Sequence, residues 1–192
     1  VLTYRDPLPR LPQKVLVAGV SGAGKTTLAQ QIAEVIGNTH VEIDALFHGP
    51  EWVPRPNFLD DVRAFVATET WVTEWLYHSA RPLLAANADL LVWIDLPFVR
   101  VTLPRLLRRT VRRRRRREKL WNANIEPPLR TFFTDPEHIV RWGIRTRNKY
   151  RAAIPPLEAE NPHLTVVHLR TRREVDAWLD GPLAMSLSAR DA

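Results

Sequence analysis

The chain has 192 residues, 45% of them apolar, which is the length of one domain (1–192) with enough apolar material for a substantial core. It holds no apolar run long enough to span a membrane, no signal peptide is expected from its Pro- and Arg-rich start, and cysteine is absent, which excludes disulfides and thiol chemistry. The net charge of +7 rests almost wholly on arginine, since only four lysines occur, and it favours polyanionic partners, nucleotides and nucleic acids alike.

In chain order, Pro7, Pro9 and Pro12 mark residues 1–13 as an extended lead-in. The apolar run from Lys14 to Ala18 predicts a strand, and the next eight residues, Gly19-Val20-Ser21-Gly22-Ala23-Gly24-Lys25-Thr26, fit G-x-x-x-x-G-K-[ST]. Glycines let such a loop curl until its N–H groups converge on phosphate oxygens, and the following helix adds its positive end. Lys25 is then expected across the β- and γ-phosphates of ATP, and the Thr26 hydroxyl on Mg²⁺. The nucleotide-binding set is Gly19, Ser21, Gly22, Ala23, Gly24, Lys25, Thr26 and Thr27. Leu28, Ile32, Val35 and Ile36 give the helix an apolar face, and Thr27 stands where a dinucleotide-binding loop needs glycine.

A second strand is predicted from His40 to Ile43, ending at Asp44, then a loop over 48–56 and a helix from Asn57 to Thr68. Strand three covers Thr70 to Glu74, a short helix starts at Arg81-Pro82, and strand four is Leu90 to Asp95. A long helix is expected from Phe98 to Arg117 with Val99, Leu103, Leu106, Leu107 and Val111 inward. Pro104 requires either a kink or a late start capped by Thr102. Residues 121–128 read as irregular, Asp135-Pro136 opens a helix to about Ala153, and Thr165 to Leu169 is strand five. Thr171 and Glu174 form a capping box for a last helix to Leu179, and the tail over 182–192 is expected to fray. Strands alternating with helices behind a phosphate loop predict an α/β fold. It is a P-loop NTPase of three layers, α/β/α, around five parallel strands, with a small arginine-rich lid.

Asn148-Lys149 is followed by Tyr150-Arg151, so the guanine motif of GTPases is missing. From Val15 to Leu179 the chain resembles nucleoside-monophosphate-kinase-like P-loop kinases, in particular the bacterial topology modulation or adenylate-kinase-like proteins. The carriers are the phosphate loop, Glu42 to Phe47, Trp71 to Glu74, Trp93 to Pro97 with the arginines behind it, Leu120 to Asn124, and Arg141-Trp142 to Tyr150. One departure is Glu74-Trp75, where many relatives carry Asp-Gly.

The resemblance implies ATP and Mg²⁺, an acceptor-side region over 45–70 and a lid over 112–134. Asp44 would take a proton from an acceptor hydroxyl or hold it, the alternative being a turn-capping aspartate. Glu74 would orient the metal through water, and Asp95 competes for that role. Arg105 and Arg109 before the lid, with Arg141 and Arg145 after it, would neutralise the transferring phosphoryl group, and Arg170 would lie at the adenine junction. The run Arg112–Arg117 reads as a solvated helix end, a nucleic-acid contact, or a lid element. Trp121, Asn122 and Asn124 form either the lid tip or a pin to the body. Trp52 and Trp75 are candidates for the acceptor pocket, while Trp71, Trp93 and Trp178 belong to the core. The expectation is a cytoplasmic ATP phosphotransferase acting on a nucleoside monophosphate or other small acceptor. The rival is a nucleotide-gated, nucleic-acid-binding regulatory ATPase.

Overall fold

Val15, Leu16, Val17 and Ala18 are completely buried, which places β1 (Lys14–Gly19) at the centre of the molecule. The computed structural model describes residues 1–135 and 138–188. After β1 come α1 (Lys25–Ile36), β2 (His40–Val41), α2 (Ile43–Phe47), α3 (Phe58–Val66), β3 (Trp71–Glu74), α4 (Arg81–Asn87) and β4 (Leu90–Ile94). Then follow α5 (Leu103–Arg116), α6 (Ile139–Arg145), α7 (Lys149–Glu160), β5 (Thr165–Leu169), α8 (Arg172–Trp178) and α9 (Ala184–Ser188).

The five strands are all parallel, in the order β2-β3-β1-β4-β5. Val17 lies opposite Glu74 and Gly19 opposite Ile94, so the carboxyl ends of β1, β3 and β4 open on one edge. Alternate residues of β1 serve opposite faces. Val15 and Val17 join Leu28 and Ile32 of α1 with Val175 and Trp178 of α8, whereas Leu16 and Ala18 join Val62 of α3, Leu84 of α4 and Ile154 of α7. Each fully buried Leu or Ile in these layers contributes about 1.5–3 kcal/mol. The lead-in is useful too: Leu2 bridges Val167 and covers the outer side of β5.

The expected three-layer α/β/α fold with five parallel strands is present, but several local expectations need correction. Strand two stops at Val41, because β3 offers it only two rungs, and Ile43 turns into a helix whose first turn carries Asp44. The helix expected over 98–117 begins as a wide π-helical turn, Phe98–Thr102, and Pro104 falls in the first turn of α5, where its missing N–H costs nothing. The extra residue per turn shifts the phase. Thr102, Leu106 and Thr110 face inward, while Val99 and Leu107 are exposed.

The helix expected from Asp135 to Ala153 is two helices, and its start at Pro136 lies outside the described residues. Thr146 ends α6, its hydroxyl bonding back to the Trp142 carbonyl. Then α7 runs on through Pro155 and Pro156 to Glu160; Arg151 and Ala152, whose carbonyls those prolines leave without an amide, are exposed to water. The tail expected to fray from 182 is helical to Ser188 and buries Leu183 and Ser186; residues 189–192 lie outside the described residues.

Candidate active site

The phosphate loop turns between β1 and α1. Gly22 and Gly24 adopt φ of +86° and +98°, the left-handed region that favours glycine. A Cβ on Gly22 would also lie 2.8 Å from the Thr102 carbonyl oxygen, so the π-helical turn before α5 packs directly onto the loop. Ser21 is half-buried, Ala23 buried, and Thr27 exposed. Lys25 Nζ donates to the Val20 carbonyl at 3.3 Å, folding back over its own loop. Burial pushes the Lys25 ammonium down to about 8; Asp44 and Glu74 work against that, while Arg109 and Arg81 add to it.

Glu74, at the end of β3, is buried to 1% exposure. Burial alone would raise its carboxyl, yet the neighbouring polar side chains of His40, 3.8 Å away, and Thr26, with the charges of His40 and Lys25, hold it below the usual range. Its Oε2 is buried and unpartnered. An orphaned carboxylate oxygen beside the Thr26 hydroxyl fits an Mg²⁺ ion held mainly by water and phosphate, which needs few protein ligands. Asp95 is otherwise engaged. Arg151 Nε approaches its Oδ2 at 3.2 Å and His168 Nε2 at 3.3 Å, and His168 stacks flat on Trp93. Of the two carboxylates weighed for the metal, Glu74 alone stands beside Thr26.

Asp44 faces the same space from α2. Burial raises its carboxyl above the usual range, and the Tyr77 hydroxyl, donating to Oδ1 at 2.5 Å, pulls the other way. Arg109 points inward from α5, with a buried Nε that has no partner, and senses the Asp44 charge. Arg105, one turn earlier, is exposed, as are Arg141, Arg145 and Arg170. Arg141 donates to the Phe132 carbonyl at 3.5 Å, the Arg145 guanidinium covers the Trp142 ring at 4.9 Å, and Arg170 lends only its backbone N–H to Glu174. Of the four arginines expected around the phosphates, Arg109 is the one the structure carries toward Lys25 and Asp44.

Two cations were missed by sequence reasoning. Arg81 is 9% exposed, its guanidinium 4.4 Å from the Trp75 ring and 5.1 Å from Tyr150, and its Nε has no partner. Lys149 is pushed down to about 8 by burial and by the charges of Arg81 and Lys25. No carboxylate forms an ion pair with either among the described residues. Trp75, expected in the acceptor pocket, is instead buried under Arg81, while Trp71, Trp93 and Trp178 are buried in the core.

Trp52 joins an aromatic group with His48 and Trp121 beside Asp44 and Tyr77. The Asn122 amide donates to the His48 carbonyl; buried Asn124 donates to Gly49 O at 2.8 Å and accepts from Trp52 N at 3.1 Å. Of the two readings of Trp121, Asn122 and Asn124, these contacts are those of a pin between the 119–125 segment and the 48–54 loop.

No protein-family model and no curated protein sequence matches the chain. Among solved structures it is similar to a gluconokinase from Sinorhizobium meliloti 1021, with 22% identity, a TM-score of 0.52 and coverage of 95% of this chain and 99% of that one. It is also similar to the shikimate kinase from Acinetobacter baumannii in complex with shikimate, with 15% identity, a TM-score of 0.50 and coverage of 93% and 94%. At these identities the likeness concerns the backbone, and the chain has the α/β fold of P-loop kinases, built around a five-stranded parallel sheet.

Proposed function

We propose that this protein is an ATP-dependent phosphotransferase that moves the γ-phosphoryl group of Mg-ATP to a nucleoside monophosphate or another small acceptor bearing both a hydroxyl and an anionic group. The observation that carries the reading is the convergence of Lys25, Arg109 and Asp44 at the open end of the sheet, with Glu74 beside Thr26. Lys25 would hold the β- and γ-phosphates, and Arg109 would offset the charge that spreads over the phosphoryl oxygens. Thr26 would hold Mg²⁺ and Glu74 would orient its water, and the ion would supply charge neutralisation at the phosphates. Asp44 would accept the acceptor hydroxyl's proton or hold its direction.

Arg81 and Lys149, buried or half-buried without carboxylate partners, supply the reason to expect an acceptor anion. The two structural neighbours, a gluconokinase and a shikimate kinase in complex with shikimate, are by name kinases of small molecules, which is compatible with that choice. A kinase drawing on ATP belongs in the cytoplasm, so this placement goes with the reading. The narrower likeness to topology modulation proteins rests on the sequence motifs alone.

The test is ADP release by purified protein against nucleoside monophosphates and small hydroxy acids. Turnover with at least one acceptor, abolished in a folded Lys25→Ala variant, is expected; turnover unchanged in that variant refutes the assignment. A second reading, nucleotide-gated nucleic-acid binding, is favoured by one observation. Arg105, Arg108, Arg112, Arg115, Arg116 and Arg117 are all exposed. No DNA or RNA binding at low salt disposes of it.

A further inference from the structure

The Asp44 carboxylate is part of a chain of hydrogen bonds. The Tyr77 oxygen that donates to Asp44 Oδ1 at 2.5 Å also lies 3.1 Å from His48 Nε2. The direction of each bond follows from the donors available. An ionised carboxylate carries no hydrogen, so Tyr77 gives its single proton to Asp44, its oxygen can then only accept, and His48 must bear hydrogen on Nε2. His48 Nδ1 is buried without a partner, as the bare nitrogen of that tautomer would be. The chain therefore runs one way, from His48 through Tyr77 to Asp44, and each bond polarises the next.

Tyr77 is firmly held. Its φ of +54° is in the left-handed region, which costs a tyrosine about 1–3 kcal/mol and persists only where surrounding packing over-determines it. That packing is visible: the ring stacks on Phe47 at 3.8 Å and meets the edge of Phe58 at 5.2 Å. Burial and the Asp44 charge push the phenol's pKa up, so it remains a donor throughout the working range of an enzyme. At the other end of the chain, the His48 ring stacks on Trp121 at 5.6 Å, and Asn122 donates to its carbonyl. The pinned 119–125 segment thus rests on the same histidine.

We infer that Tyr77 is a positioning residue for the transfer step: it fixes the rotation of the Asp44 carboxylate so that Oδ2 is presented to the acceptor hydroxyl, and through His48 it ties that orientation to docking of the 119–125 segment. Oδ2 has no hydrogen bond among the described residues, whereas Oδ1 is taken. The inference rests on the phosphotransferase reading above. The packing also rejects another role for the phenol, as a placeholder that the acceptor displaces. A ring stacked on Phe47 and wedged against Phe58 cannot swing aside without losing both contacts.

The experiment compares wild type, Tyr77→Phe, Trp121→Ala and the double variant by steady-state kinetics with whichever acceptor supports ADP release. Tyr77→Phe keeps the ring and removes only the hydroxyl. Its kcat should fall about 10- to 100-fold while both KM values stay within about twofold, as for a misaligned but bound reactant. An unchanged kcat, or a lower acceptor KM, overturns the inference. Trp121→Ala should lose less, and should add little to Tyr77→Phe because both act through one path; fully additive losses overturn the link to the segment.

A second measurement needs no turnover. In ¹³Cζ-tyrosine NMR, the Tyr77 resonance of wild type should resist titration to high pH and move markedly in Asp44→Asn; an unmoved resonance overturns the chain. Wild type that releases no ADP with any acceptor counts against the phosphotransferase reading, and the NMR result then decides the hydrogen-bond chain on its own. Active wild type with an unaffected Tyr77→Phe counts against the inference alone.

Discussion

Burial strips water from the Lys25 ammonium by more than Asp44 and Glu74 offset, so its proton is held less firmly than that of an ordinary lysine, at about 8. The consequence for stability has a definite sign. Between about 8 and 10.5 the unfolded chain binds the proton that the folded protein releases, so the lysine's penalty is full below pH 8 and fades as pH rises toward 10.5. Lys25→Met should therefore stabilise the nucleotide-free protein at pH 7, by about 3 kcal/mol at most. The gain should vanish near pH 10.5. Denaturant unfolding at the two pH values checks it, and a gain independent of pH would assign the effect to packing. Lys25 and Thr26 were legible in the sequence because their role is set by neighbours within eight positions. Tyr77 and Arg81 were not. Asp44, the partner of Tyr77, is 33 residues away, and Tyr150, which with nearby Trp75 encloses Arg81, is 69 away, and no local pattern marks a tyrosine with positive φ.

At the level of elements, the phosphate loop and the start of α5 form one packed unit, since a Cβ on Gly22 would run into the carbonyl of Thr102 and the Cβ and backbone nitrogen of Leu106. Gly22→Ala meets backbone rather than a movable side chain, at a φ that alanine resists. We expect a loss of about 1–3 kcal/mol in stability together with loss of nucleotide binding, read by thermal unfolding with and without ATP. Normal ATP-induced stabilisation in that variant would show that the loop yields elsewhere. The strands were readable in sequence where they are long and apolar, as β1 and β4 are. The second strand was overread because His40 to Ile43 alternates like a strand, while pairing with β3 lasts only two residues. The phase of α5 was misread for a related reason. A π-helical turn leaves no composition signature, so a regular helical wheel put Val99 and Leu107 inward when they face water.

Across the whole molecule, the arginines divide into two populations that composition could not separate. Arg113 and Arg114 bind Glu126, Arg113 also reaching Glu118, and Arg109 turns inward, while Arg112, Arg115, Arg116 and Arg117 are exposed. A charge in water beyond a Debye length, about 8–10 Å, contributes little to a buried reaction centre, whereas a desolvated guanidinium contributes a great deal. Exchanging Arg112, Arg115, Arg116 and Arg117 together for glutamine should therefore leave kcat within about twofold, because these groups are exposed, where water and salt screen them. Arg109→Gln alone should lower kcat about 100- to 1,000-fold. The two measurements are made with the same acceptor at two salt concentrations. If the quadruple variant loses activity and the loss grows as salt is lowered, the exposed arginines are guiding the anionic substrates at long range. If it keeps activity but loses a salt-sensitive affinity for nucleic acid, the exposed face has its own ligand. Either result would relocate the source of the net positive charge's function, and only full retention with no such affinity leaves it as plain solvation.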